Sequence, residues 1–294
     1  MLSCVPVTSV SSLAEAFALL ADRPRGLRVL AGGTDFLAQV NAGVGLERIG
    51  HVLDISRVGE LRFTRLSGGL LAAGALATFT DLARSAPVRQ ALPALAQVAR
   101  EIGARAIQNR GTLGGNACNA SPAGDTLPVL VAAGATFVLG GPRGERRLPA
   151  EEFFLAYRKT ALAADELLLR AEIPALAPVE RLAYRKVGTR AAQSIARAFV
   201  AVRAAAAGGR CSGVRIAAGC VAPVPMRCRA AEAAVEGRAL EPALFEAARG
   251  AIEGEIRPIT DLRATAEWRR RVTGNVLVGL LEGLAGPPRS GEDS

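Results

Sequence analysis

Among 294 residues there is one histidine, one tryptophan, two tyrosines and two methionines. A single histidine, His51, rules out a zinc site built on several imidazoles and leaves one candidate base for a Ser-His or Cys-His pair. It precedes the apolar run Val52-Leu53-Asp54-Ile55, which predicts a strand, so its ordinary role is that of a strand-edge side chain. The five cysteines, Cys4, Cys118, Cys211, Cys220 and Cys228, form no Cys-x-x-Cys pair. An odd count in a long chain does not resemble a disulfide framework, which points to the cytoplasm and against iron–sulfur ligation within this chain. The N-terminus, MLSCVPVTSV, has no basic segment followed by an apolar core, so no signal peptide is expected. The longest uncharged stretch, Thr126 to Pro142, is broken by Pro128, Gly134, Gly140 and Gly141 and falls short of the ~20 apolar residues that a bilayer requires. No membrane span is expected.

Half of the residues are hydrophobic and 21% are charged, a balance that excludes intrinsic disorder. The 36 basic side chains exceed the 27 acidic ones, giving a net charge of +9. Only Lys159 and Lys186 are lysines; the rest are arginines scattered along the chain, densest at Arg269-Arg270-Arg271. With few aromatics to stack on bases, this is not the footprint of a nucleic-acid-binding protein.

The first 57 residues alternate: extended over Cys4–Val7, helical from Ser12 to Leu20 with a Ser12/Glu15 capping box, extended over Leu27–Leu30, helical from Thr34 to Val40, then a strand from His51 to Ile55. From Gly59 to residue 176 hairpins appear, around Ser67-Gly68-Gly69 and again over Gly140–Gly144. Thr78 caps a helix from Phe79 to Arg84, Ala86–Ile102 reads as one longer helix, and residues 108 to 126 read as loop. A helix through Leu130–Ala133, a strand over Thr136–Leu139 and a buried strand, Leu167–Ile173, complete this part. The Pro174–Val179 stretch predicts a linker. Beyond it, Arg181–Val187, Ser194–Ala206 and Val214–Val221 read as an antiparallel sheet, and Arg229–Val235, Pro242–Ile252 and Ala264–Leu284 as helices. The units expected are therefore 1–57, 58–176 and 180–286, with a frayed tail over 287–294.

Two double-glycine loops carry the chemistry. Leu30-Ala31-Gly32-Gly33-Thr34-Asp35-Phe36 joins a strand to a helix, where glycines let a backbone approach a ligand and a helix start offers free N–H groups to an anion. Gly111-Thr112-Leu113-Gly114-Gly115-Asn116 lies in a long loop and runs into NACNASPAGD, whose amides, hydroxyl and carboxylate suit sugar or ribityl hydroxyls. Together the loops could clamp the two phosphates of a dinucleotide. Neither is a G-x-G-x-x-G nor a P-loop. Both lysines and both tyrosines fall in two copies of one tripeptide, Tyr157-Arg158-Lys159 and Tyr184-Arg185-Lys186. On its strand, Lys186 faces either a cofactor or solvent.

The run REIGARAIQNRGTLGGNACNASPAGDTLPVLVAAGA, with LAGGTDFLAQ, YRKTAL, YRKVGTRAAQSIAR and DLRATAEWRRRVTGNVLVGLL, resembles the FAD-binding medium subunit of the molybdenum hydroxylases. That family includes the flavoprotein subunits of carbon monoxide dehydrogenase and xanthine dehydrogenase, and relatives acting on aldehydes and N-heterocycles. The resemblance implies an α+β chain with an FAD-binding fold of the vanillyl-oxidase (PCMH) type, two α/β subdomains followed by a C-terminal domain with a small antiparallel sheet and helices. It implies that Val29 through Phe36 and Gly111 through Asn116 embrace the FAD pyrophosphate, and that Ile102, Gly103, Asp125, Leu168 and Lys186 match further FAD-contacting places. The first loop reads Thr34-Asp35 where some members have His-Ser. It implies partners: a large molybdopterin-binding subunit and a small [2Fe-2S] subunit in a dimer of heterotrimers, with electrons passing through FAD to NAD or another acceptor. No side chain of this chain is expected to act as catalytic acid or base, and no metal to bind it. A stand-alone FAD reductase of the same fold and a basic non-enzymatic binding module are the alternative readings.

Overall fold

The computed structural model describes residues 5–22, 24–190, 193–207 and 210–285. The chain divides into two compact units. One comprises the residues up to Ser121 with Ala135–Ala175; the other comprises Pro122–Gly134 with the residues from Leu176 onward.

The first unit starts with β1 (Val7–Ser9), α1 (Leu13–Asp22), β2 (Leu27–Leu30), α2 (Phe36–Asn41) and β3 (His51–Asp54). The strands form a parallel sheet in the order β1-β3-β2, and the helices supply the crossovers that parallel pairing requires. Ala16 and Leu20, one helical turn apart, face α1 into a core with Leu53, Ile55 and Leu61. The first strand is Val7–Ser9, and Cys4, the expected start, lies outside the described residues. Ser12 Oγ caps the Glu15 amide at 3.2 Å, while the Glu15 carboxylate returns to the amide of Ser11 at 2.7 Å, one residue earlier than a capping box requires. His51 starts the central strand, its Nε2 2.9 Å from Thr8 Oγ1.

A hairpin, β4 (Thr64–Ser67) and β5 (Leu70–Gly74), turns through Gly68 and Gly69, both at positive φ. Five helices follow: α3 (Phe79–Arg84), α4 (Ala86–Ala91), α5 (Pro93–Glu101), α6 (Arg105–Gln108) and α7 (Leu113–Asn119). Thr78 and Asp81 form a reciprocal capping box on α3. The single helix expected over Ala86–Ile102 is two, because Pro93 lacks an amide and pushes Leu92 to φ −151°. The loop expected over residues 108 to 126 contains α7. Its Gly-Gly-Asn-Ala-Cys-Asn composition has poor intrinsic propensity, and the Thr112 cap with buried Leu113 and Ala117 supplies what propensity lacks. The next helix, α8 (Thr126–Ala133), belongs to the other unit. The chain returns as β6 (Thr136–Gly141), β7 (Gly144–Pro149), α9 (Ala150–Phe153), a small hairpin of β8 (Phe154–Ala156) and β9 (Lys159–Thr160), and β10 (Leu167–Pro174). These complete an antiparallel sheet in the order β4-β5-β10-β6-β7.

The second unit is built on β11 (Glu180–Val187), β12 (Ala198–Ala207), β13 (Arg210–Gly219) and β14 (Met226–Arg227), an antiparallel sheet in sequence order. The helices α10 (Arg229–Val235), α11 (Pro242–Glu255) and α12 (Ala266–Ala285) share with it a core of Val200, Val202, Ile216, Ile252, Leu277 and Leu281. All eight residues of α8 are buried. Its free C-terminal carbonyls are met by arginines of the sheet: Arg203 donates to the Ala133 carbonyl at 2.7 Å and Arg215 to that of Val131 at 3.3 Å. The tail expected to fray over 287–294 lies outside the described residues.

A tight turn precedes α12. The Asp261 carboxylate accepts from the amides of Arg263 (2.8 Å) and Ala264 (3.2 Å) and from the Arg269 guanidinium (2.7 Å). Burial pushes this carboxyl up, but the Arg263 amide, Arg269 and the Ala264 amide outweigh it and hold the group down to about 2. A depressed carboxyl stabilises the fold above the ordinary carboxylate range and loses that contribution as pH falls toward its folded value. The D261N variant should therefore melt at a lower temperature than the parent at pH 7, with the gap narrowing as pH approaches 2. A gap that stays constant over that range would show that the charge does not hold the turn.

Candidate functional site

The two glycine loops meet. A Cβ built on Gly32 would stand 1.8 Å from the Arg110 carbonyl oxygen and 3.2 Å from Gly111 Cα, so the loops touch backbone to backbone. Around this contact lies a cleft of about 370 Å³ within the first unit. Volumes of ~300–1,000 Å³ are usual for small-molecule and cofactor sites.

The sequence-derived residues Val29, Ala31, Gly32, Gly33, Thr34, Asp35 and Phe36 line it on one side. Gly111, Thr112, Gly114, Gly115 and Asn116 line it on another, with Ile102 and Leu168. Leu30, Gly103 and Leu113 stand behind that surface. The Leu30 side chain packs under Gly33, Gly103 lies against Ile107, and Leu113 is fully buried. Sequence reasoning missed the apolar wall, formed by Ile55, Leu76, Phe79, Ile107 and Leu162, as well as Gln39, Cys118 and Asn119. The 3.6-residue spacing of apolar residues marks a helix face but does not say which members of it reach a cleft. His51 is not among the lining residues.

Each loop is held from behind. Gly114 donates to the Ala75 carbonyl at 2.8 Å, Leu113 to Ala77 at 3.0 Å, and Phe79 to Gly111 at 3.0 Å. Thr112 Oγ1 accepts from the Gly115 amide at 3.0 Å. In the first loop Gly33 sits at φ +79°, and its carbonyl accepts from Leu37 at 2.9 Å. No acceptor among the described residues takes the amides of Gly33, Thr34 or Asp35. The cleft therefore offers donors from a fixed backbone, and the Thr34 hydroxyl, the Gln39 amide, Asn116 and the apolar wall line it as well. Cys118 lines the cleft as an exposed, free thiol.

Asp125 and Lys186 belong to the second unit, where the structure brings them to each other. Lys186 Nζ lies 2.6 Å from Asp125 Oδ2, with the two side chains 5% and 10% exposed. Lys186 shares a face of β11 with Tyr184, whose ring stacks on Phe199 at 5.4 Å. The alternative of a solvated Lys186 is thus overturned: this face of the strand is covered. The other copy of the tripeptide lies at the β8–β9 turn in the first unit. There Tyr157 is exposed, Arg158 adopts φ +54°, and its guanidinium donates to Asn119 Oδ1 at 3.1 Å.

Comparison with known proteins gives this arrangement its class. Residues 3–176 match the FAD binding domain in molybdopterin dehydrogenase, and residues 183–284 match the CO dehydrogenase flavoprotein C-terminal domain. The chain belongs to the family of FAD-binding subunits of the molybdenum hydroxylases, oxidoreductases of the kind the sequence motifs indicated. It is 33% identical over 266 residues to the carbon monoxide dehydrogenase medium chain of Hydrogenophaga pseudoflava, spanning 90% of this chain and 92% of that one. It is equally 33% identical to the xanthine dehydrogenase FAD-binding subunit of Escherichia coli O157:H7, over 88% of each. Among solved structures, carbon monoxide dehydrogenase from Hydrogenophaga pseudoflava superposes with a TM-score of 0.90 at 34% identity, covering 94% of this chain and 95% of that one. Quinoline 2-oxidoreductase from Pseudomonas putida 86 does so with 0.87 at 26% identity, covering 96% and 99%. The expected fold, mixed helix and sheet with a C-terminal domain of small antiparallel sheet and helices, is the fold found.

The cleft fits the cofactor of that family. FAD needs donors for a pyrophosphate, hydrogen-bonding groups for its hydroxyls and an apolar surface for its rings, and the cleft supplies all three from this chain's own residues. No helix of the described residues is long and apolar enough to cross a membrane.

Proposed function

We propose that FAD occupies this cleft and that the chain is the electron-transfer subunit of a heteromeric molybdenum hydroxylase. The observation that carries the reading is the contact of Gly32 with Arg110, which brings two glycine loops around one cleft, beside amides of Gly33 to Asp35 that no acceptor among the described residues takes. Those amides and the Thr34 hydroxyl hold the pyrophosphate. Asn116 serves the sugar and ribityl hydroxyls, and Ile102 and Leu168 contribute apolar surface to the rings. Asp125 and Lys186, which match FAD-contacting positions of the family, form a buried charge pair within the second unit. When bound, FAD supplies the ability to accept electrons singly and release them in pairs. The protein's part is to bind it, orient it and exclude water, and no side-chain acid or base is needed.

The partners under this reading are a large molybdopterin-binding subunit and a small [2Fe-2S] subunit, in a dimer of heterotrimers, with NAD or another acceptor receiving the electrons. Cys118, Cys211, Cys220 and Cys228 are all free thiols, which suits a reducing, cytoplasmic setting. The purified chain should be yellow, with about one FAD per chain expected from a single site of this size. Colourless protein that takes up no added FAD would overturn the assignment. Co-purification with two further chains separates the subunit from a stand-alone reductase.

A further inference from the structure

Behind the cleft, three structural features converge on one buried side chain that touches no cofactor-facing atom. Gln108, the last residue of α6, is 7% exposed. Its Nε2 donates to the Arg100 carbonyl at 2.7 Å, at the end of α5, and lies 3.4 Å from the Gly103 carbonyl. Between these acceptors the chain makes a corner. Ile102 leaves the helix, and Gly103 adopts φ +56°, where a Cβ would stand 2.9 Å from Ile107 Cβ. Ile102 and Ile107 both line the cleft. The other end of α6 is tied as firmly: the Ile107 carbonyl accepts from the amides of Arg110 (3.1 Å) and Gly111 (2.7 Å). The Arg110 carbonyl is the surface on which Gly32 rests.

We infer that Gln108 is a positioning residue for the flavin cleft: its amide staples the Arg100–Gly103 corner to α6 and so sets both the Ile102/Ile107 wall and the seat of the two glycine loops. A four-residue helix has no cooperativity of its own to hold that orientation. Gln108 is the buried member of these part-buried bonds, and losing its amide removes the tie that holds the corner to α6. The inference rests on the reading of the cleft as the FAD site.

The test uses the full chain, stripped of flavin, with FAD as the probe and quenching of flavin fluorescence as the readout. The Q108L variant keeps the bulk and loses the donor, and should weaken FAD binding about tenfold, the effect of losing one part-buried hydrogen bond. In Q108E the ionised side chain cannot donate to a carbonyl while its protonated form can, so its affinity should recover toward the parent's as pH is lowered from 8 to 5. A purely structural role would lower the melting temperature of the apo chain without that pH-dependent rescue. If the parent binds FAD and both variants bind within twofold of it at every pH, the inference about Gln108 fails while the site assignment stands. If Q108L does not fold, the pH course of Q108E decides: no recovery overturns the inference. If the parent itself binds no FAD, both fall.

Discussion

Alanine at Gly32 is expected to abolish FAD retention, weakening affinity at least ~100-fold, or ~3 kcal/mol. The added methyl would lie 1.8 Å from the Arg110 carbonyl oxygen and 2.6 Å from its carbon. Both belong to backbone, so no rotamer change relieves the overlap, and one loop must retreat from the other. Neighbouring glycines make the contrast. Gly33 has only the ends of Leu37 and Leu30 nearby, at 3.3 and 3.4 Å, and its cost is conformational: φ +79° penalises a side chain by about 1–2 kcal/mol. Gly114 faces Ala75, with a Cβ 2.6 Å from that methyl, so a substitution there disturbs packing behind the loop rather than the ligand's side of it. Flavin absorbance of purified G32A and G33A separates the cases. G32A that keeps the parent's flavin content would show that the two loops do not act as one cradle.

Replacing Lys186 by methionine should cost about 3 kcal/mol of stability, because it removes one partner of a buried ion pair. The pair is buried on both sides, so its removal differs from the loss of a surface ion pair, worth ~0–1 kcal/mol. Urea denaturation of K186M, D125N and the double variant forms a cycle, and the double variant should recover part of the loss of K186M. A K186M penalty below ~1 kcal/mol would mean that water or another cation reaches Asp125.

The sequence made the strands and the amphipathic helices legible, because apolar spacing and glycine turns are local signals. β2 and α10 fall where the pattern puts them, and Thr78 caps α3 as its spacing with Asp81 requires. α7 was illegible since nothing local favours a helix of glycine and asparagine; only its cap and the burial of Leu113 and Ala117 make it one. The glycine loops could be found from their motif. Why each glycine is needed could not: Gly32 and Gly114 are small because backbone or Ala75 lies behind them, a fact of tertiary contact. Gln108 gave no signal at all, a single amide in a polar run, and its importance exists only once the chain has turned the corner at Gly103.

The short segment from Pro122 to Gly134 has a consequence for how this protein can be made and cut. Synthesis proceeds from the N-terminus, and α8, apolar on every side and ending at Ala133, leaves the ribosome well before β11, β12 and β13, which begin at Glu180 and end at Gly219, exist to shelter it. Until then it is a sticky peptide held between two folded stretches of the first unit. A fragment ending near residue 176 would carry α8 permanently uncovered, and a fragment starting there would lack a layer of its own core. The seam between the two matching family regions, at 176–183, is thus a seam in sequence and not in folding.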